Sequence, residues 1–236
     1  MPDGSTVPAD PTQPSGEQRV AGLKRAVRVD LAAIQRGALH PGDICDLGGT
    51  DPLTLDAVQH LLPGSRLHAV TLDDDGAIVA IARLGKRPTR HGAWAWLQGG
   101  PPPTGPLLPT TGVEIIIGIP THLIPPPGTT DGSFLAAVAR LARAVPDLAS
   151  TTRNFGPHQA TALAWAQPVC QVAGCNRTAV LQNDHRVDWA IDPVSDLPNA
   201  DRLCVHHHRL KTHHGYRLEP GTGPRRLLPP DPDEPP

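Results

Sequence analysis

The sequence predicts an α+β protein made of small units, and three observations carry that expectation. Aromatic residues are scarce at 3%, while 29 Pro and 23 Gly exceed a fifth of the 236 residues. Such a chain favours modest folded units joined by irregular segments over one large core. Short runs with strand periodicity alternate with helical patterns through the first two thirds, the signature of a mixed fold. Three of the four cysteines gather in the last third at ligand-like spacing, and a small unit poor in aromatics needs such a staple.

Taken in order, Val27–Leu31 alternates apolar and polar residues and reads as a strand. Leu67–Leu72 and Ile78–Ala82 read as two more, joined by the turn Asp73-Asp74-Asp75-Gly76. Leu55, Val58, Leu61 and Leu62 have the spacing of an amphipathic helix over Leu53–Leu62, starting near Asp51-Pro52. Residues 98–111 are a Pro/Gly linker, and Val113–Ile119 is a candidate buried strand. A helix is expected over Ser133–Val145, capped by Asp131 or Ser133 and stopped before Pro146. Another, Pro157–Ala166, leads into Cys170.

The net charge is −2, so the whole-chain field does not announce a nucleic-acid binder. Basic residues nevertheless cluster locally, at Arg202, Arg209, Lys211, Arg217, Arg225 and Arg226, beside half of the histidines. A phosphate backbone feels local charge, because screening removes contributions beyond roughly 8–10 Å. No apolar run approaches the roughly 20 residues of a membrane span. Residues 1–18 lack the basic start and apolar stretch of a signal peptide. The expectation is a cytoplasmic protein without a membrane partner. In a reducing compartment, clustered cysteines signal metal binding rather than disulfides.

Cys170 and Cys175 are separated by four residues, with Gly174 inside the loop; 28 residues intervene before Cys204, and His207 follows three positions on. Two short loops, each offering two soft or borderline ligands, close a tetrahedron around Zn²⁺. Such a closed set leaves no room for a reactive water, so the zinc is structural. Cys45 stands apart in a plain segment and is expected as a buried free thiol.

Between the two knuckles lies Leu181-Gln182-Asn183-Asp184-His185. Asn199 follows His185 after thirteen residues, and His208 follows Asn199 after eight. Each alone is bland: an Asp-His pair is commonly a turn, and a lone Asn marks only a loop. The combined spacing resembles the HNH endonucleases, which share an acid-His pair, a central Asn and a His on a final helix with a zinc knuckle threaded through. The string from Leu203 to Thr212, ending Lys211-Thr212, is similar to their Cys-x-x-(Cys/His)-His-x-x-Lys-Thr signature. Ala162-Leu163 before the first cysteine, and Gly215-Tyr216-Arg217-Leu218 after the Lys-Thr, resemble a subgroup common in high-GC bacteria. The specific similarity spans about 153–218, with a looser echo over 27–90; residues 91–150 match nothing in the pattern.

The resemblance implies a ββα-metal (His-Me finger) nuclease module. His185 would be the general base that takes a proton from the attacking water. Asp184 and His208 would offer one carboxylate and one imidazole to a catalytic Mg²⁺ or another divalent ion such as Mn²⁺ or Ni²⁺. Asn199 would fix the loop that orients the base, and Arg209 and Lys211 would contact flanking phosphates. His206, His213, His214, Asp188 and Asp192 are left unassigned. The loop 192–198 departs from many relatives by carrying Pro193 and Pro198 in place of a Gly-Gly pair.

The expected organisation is a disordered tail over 1–18 and a small α+β region over 19–97. A linker with a strand-helix insertion over 98–150 precedes the nuclease module at 151–218, and a second disordered tail covers 219–236. The expected partner is DNA, with RNA open. The rival is a catalytically silent zinc-knuckle module that binds nucleic acid or a protein. A toxin-like nuclease would use the same chemistry.

Overall fold

The computed structural model describes residues 26–85 and 89–230, so the expected tail at 1–18 lies outside the described residues, as do Lys86, Arg87 and Pro88. The fold is α+β. Its larger part is a seven-stranded mixed sheet of spatial order β3-β2-β1-β6-β4-β5-β7. The strands are β1 (Ala26–Asp30), β2 (Cys45–Leu47), β3 (Asp51–Pro52), β4 (Arg66–Leu72), β5 (Ile78–Arg83), β6 (Glu114–Pro120) and β7 (Ala142–Ala144).

β6 lies parallel to both β1 and β4, whereas the other pairings are antiparallel. Its sequence, Glu-Ile-Ile-Ile-Gly-Ile-Pro, is the near-continuous apolar run expected of a strand covered on both faces. Ile115, Ile117 and Ile119 join one core with Val27, Val29, Phe134 and Val138. Ile116 points the other way, to a second core with Val70, Ile81, Leu148 and Trp165. The stretch 98–150, expected as a linker and insertion, therefore supplies the strand at the centre of the sheet.

Helices α1 (Leu31–Arg36), α2 (Leu55–Leu61), α3 (Ala93–Leu97) and α4 (Phe134–Leu141) accompany the sheet. α1 and α3 were not expected. α2 starts at Leu55, after the expected Asp51-Pro52, with Thr54 capping it by accepting the Ala57 N–H; Asp51 and Pro52 form an edge strand instead. Ser133 caps α4 by accepting the Ala136 N–H. That helix ends at Leu141, short of the expected Val145, because Ala142–Ala144 extend and pair with β5. Cys45 is a buried free thiol.

Helix α5 (Pro157–Ala166) connects the sheet to the last third of the chain. Its Trp165 packs so closely on β6 that a Cβ at Gly118 would come within 2.4 Å of the ring; only glycine leaves that room. Arg28 of β1 donates to the Trp165 carbonyl oxygen at 2.6 Å while its fork holds both oxygens of Asp46, at 3.0 and 2.6 Å. The start of the last third is thereby fixed to the sheet.

There, β8 (Leu181–His185) and β9 (Ala200–Cys204) pair antiparallel, with Asp184 opposite Asp201 and His185 opposite Ala200. β9 runs directly into α6 (Val205–His214), closed by Gly215 in the left-handed region. β10 (Arg217–Leu218) and β11 (Leu227–Leu228) form a second small hairpin. Of the tail expected to be disordered over 219–236, residues 219–230 are described and include β11 and the buried Arg225; residues 231–236 lie outside the described residues. Arg225 is buried, ion-paired with Asp201 at 2.5 Å, and bonded through its backbone N–H to Gln171 O. Leu218 and Leu227 pack on a core of Cys170, Val172, Leu181, Leu203 and Cys204. So small a core cannot close without them, which is why a segment of tail-like composition folds.

Candidate functional site

Two chemical features adjoin in the last third. In the first, one ligand atom each from Cys170, Cys175, Cys204 and His207 lie within 4.8 Å of one another. His207 Nδ1 is 3.3 Å from Cys170 Sγ and 3.5 Å from Cys204 Sγ. Ligands on a tetrahedral zinc with bonds of about 2.0–2.3 Å stand roughly 3.3–3.8 Å apart, so the donor set fits Zn²⁺ in chemistry and size. Burial pushes the Cys170 thiol up to about 12; a cation is what makes a thiolate affordable there. Burial, with His206 and Arg177 nearby, lowers the His207 pKa, favouring the neutral imidazole a metal requires. The backbone supplies the frame: Cys175 N–H donates to Val172 O, and Cys204 N–H to Cys170 Sγ at 3.4 Å.

The second feature is a cleft of about 710 Å³ floored by β8 and α6 and walled by 153–155 and 188–190. It brings Asp184, His185 and His208 together. Asp184 Oδ1 is 3.7 Å from His208 Nε2. The other oxygen, Oδ2, is buried without an aligned hydrogen bond among the described residues, although the Lys211 ammonium lies 3.0 Å away as an ion pair. A carboxylate oxygen with unspent lone pairs beside an imidazole suits a divalent cation.

His185 is buried, stacked on the Phe155 ring at 4.6 Å between centroids, and joined through Nε2 to Ser195 Oγ at 2.7 Å. Burial lowers its pKa, outweighing the pull of Asp184 and reinforced by Lys211 and Arg153. The lowered pKa favours the neutral ring, the form a proton acceptor must take.

Asn199 stands outside the cleft lining. Its Oδ1 accepts the Val187 N–H at 2.8 Å and its own carbonyl accepts the Arg186 N–H, so it ties the 186–199 loop at both ends. Lys211 was expected to reach flanking phosphates. Instead its ammonium is drawn in, donating to the His185 carbonyl at 2.7 Å and pairing with Asp184 and Asp188. Arg209 is exposed on α6 and does not line the cleft, whereas Arg153 does.

Arg153, Phe155 and Ser195 were missed in the sequence, where nothing distinguished them from loop filler. Among the described residues no helix is long and apolar enough to cross a membrane. No protein-family model matches this chain, and neither does any curated protein or any solved structure.

Proposed function

We propose that the chain is a metal-dependent endonuclease of the HNH, ββα-metal type that hydrolyses DNA phosphodiesters. The observation that carries this reading is the convergence of Asp184, His185 and His208 in one cleft, on a strand–strand–helix unit stapled at its root by a Cys₃His cluster. Scaffolding alone requires none of those three side chains.

In this reading His185, neutral and held by Phe155 and Ser195, takes the proton of the attacking water. A positioned base of this kind contributes about 10²- to 10⁴-fold. Asp184 and His208 would hold a divalent ion, which when bound supplies positive charge to the phosphate and leaving oxygen. Arg153, in the cleft wall, contacts the phosphate being cut or its neighbour, and Arg209 a flanking one. Lys211 holds Asp184 and the His185 carbonyl in place. The zinc cluster keeps β9 and α6 in register and takes no part in the chemistry.

The second reading, a silent zinc-knuckle module that binds nucleic acid or a protein, draws on Lys211, whose charge already balances Asp184. Incubation of zinc-loaded protein with supercoiled plasmid, single-stranded DNA and RNA separates the two. Cutting with Mg²⁺, Mn²⁺ or Ni²⁺ that EDTA stops supports the nuclease. Retention of substrate without any cutting supports the binding module.

A further inference from the structure

The loop 192–198 carries a buried side chain, Ser195, that is bonded on every polar atom. Ser195 has no exposed surface. Its N–H donates to Ser150 O at 2.7 Å, and its carbonyl accepts both the Ser150 N–H at 3.1 Å and the Gln159 side-chain amide at 2.6 Å. Its hydroxyl oxygen is 2.7 Å from the Thr152 carbonyl oxygen, 3.3 Å from that of Arg153, and 2.7 Å from His185 Nε2.

A hydroxyl has one proton to give. Carbonyl oxygens only accept, so the Ser195 proton goes to Thr152 O, with Arg153 O as a longer second acceptor. Reversing the bond, so that Ser195 donates to His185, would press two lone-pair-bearing oxygens together at 2.7 Å in a site without exposed surface. That arrangement forfeits a buried hydrogen bond. His185 Nε2 must then be the donor to Ser195 Oγ. A neutral imidazole that carries its proton on Nε2 has its lone pair on Nδ1.

We propose that Ser195 is a positioning residue that relays the Thr152 carbonyl to His185, fixing the imidazole in its Nε2-protonated tautomer and leaving Nδ1 as the proton-accepting atom. The proposal rests on the reading of His185 as the base. Phe155 fixes the plane of the ring by stacking, and Ser195 fixes its rotation and its proton. The segment Ser150–Phe155, which precedes the first cysteine by some distance in the chain, is thereby part of the reacting centre.

The test is a long-range ¹H–¹⁵N correlation spectrum of the zinc-loaded full chain, at a pH where the imidazole is neutral. His185 is assigned by its absence from His185→Ala. The wild-type ring is expected in the Nε2–H form; an Nδ1–H form overturns the proposal, and this readout needs no Ser195 variant to fold. In Ser195→Ala the His185 signals should move toward a mixture of tautomers, with zinc content unchanged. Plasmid cutting should fall roughly 10- to 100-fold, the usual cost of losing such a supporting partner. A Ser195→Ala spectrum in which His185 keeps the pure Nε2–H form also overturns it. The tautomer is read without any cleavage, so a wild-type protein that cuts nothing would sink the nuclease reading while the spectrum still judges Ser195.

Discussion

At the scale of single residues, two histidines sit in contrasting surroundings. His208 is half-buried, 3.7 Å from Asp184, and proposed as a ligand. His208→Ala should lower cutting at limiting divalent ion, and raising the ion concentration should partly restore it; loss that no concentration relieves would assign His208 another task. His68 is fully buried on β4 with neither ring nitrogen hydrogen-bonded to a described residue, although Glu114 lies 4.0 Å away. Burial lowers its pKa from 6.5 to about 4. The unfolded chain therefore binds more protons between those values, and stability should fall as pH drops from about 6.5 to about 4. His68→Leu should remove that part of the acid sensitivity, a difference of a few kcal/mol at most, read from urea melts at both ends of the window. Identical pH slopes for the two proteins would show that His68 is satisfied in some other way. The Cys₃His cluster was legible because each pair, Cys170 with Cys175 and Cys204 with His207, is close in the sequence. Ser195 was not, because its hydroxyl partner Thr152 is 43 positions away and no local pattern announces such a pairing.

Elements were legible where local periodicity decides them. Helix α5 has the bounds its pattern implied, and β4, β5 and β6 differ from expectation by a residue at their ends. What periodicity hides is pairing order. Nothing in residues 113–119 says that this strand inserts between β1 and β4, since that depends on a crossover in space. Composition misled at 219–230, where prolines, glycines and charges conceal Arg225 and Leu227. Truncation after Leu218 should therefore lower the melting temperature of the last third rather than leave it unchanged. Arg225→Ala should do the same, by less than the roughly 3–5 kcal/mol of a fully unpaired buried charge, because it removes one of the two arginine partners of Asp201. Arg186, 3.0 Å from the other Asp201 oxygen, offsets part of that loss. A truncated protein as stable as the full chain would show that β11 is dispensable. Protein purified without added metal should carry one zinc per chain. Cys204→Ala should release it and unfold the β8–β9–α6 unit, as loss of near-ultraviolet circular dichroism and protease resistance would report; zinc absent from a folded unit would contradict the staple.

For the whole molecule, the sheet and the stapled unit meet through α5, with Trp165 set against Gly118 and Arg28 gripping the helix end. The proposed division of labour is spatial: zinc at the root of α6, the reacting groups in the cleft, and the 150–155 segment reaching across to hold the base. His185 lies outside the Cys₃His cluster, so its proposed role is separable from the stability of the unit. The central claim is most directly tested by digesting supercoiled plasmid with zinc-loaded wild type and His185→Ala side by side, across Mg²⁺, Mn²⁺, Ni²⁺ and EDTA. The account predicts divalent-dependent cutting by wild type and about two to four orders of magnitude less by His185→Ala, with equal zinc content and equal circular dichroism. Equal cutting by the two proteins would contradict it.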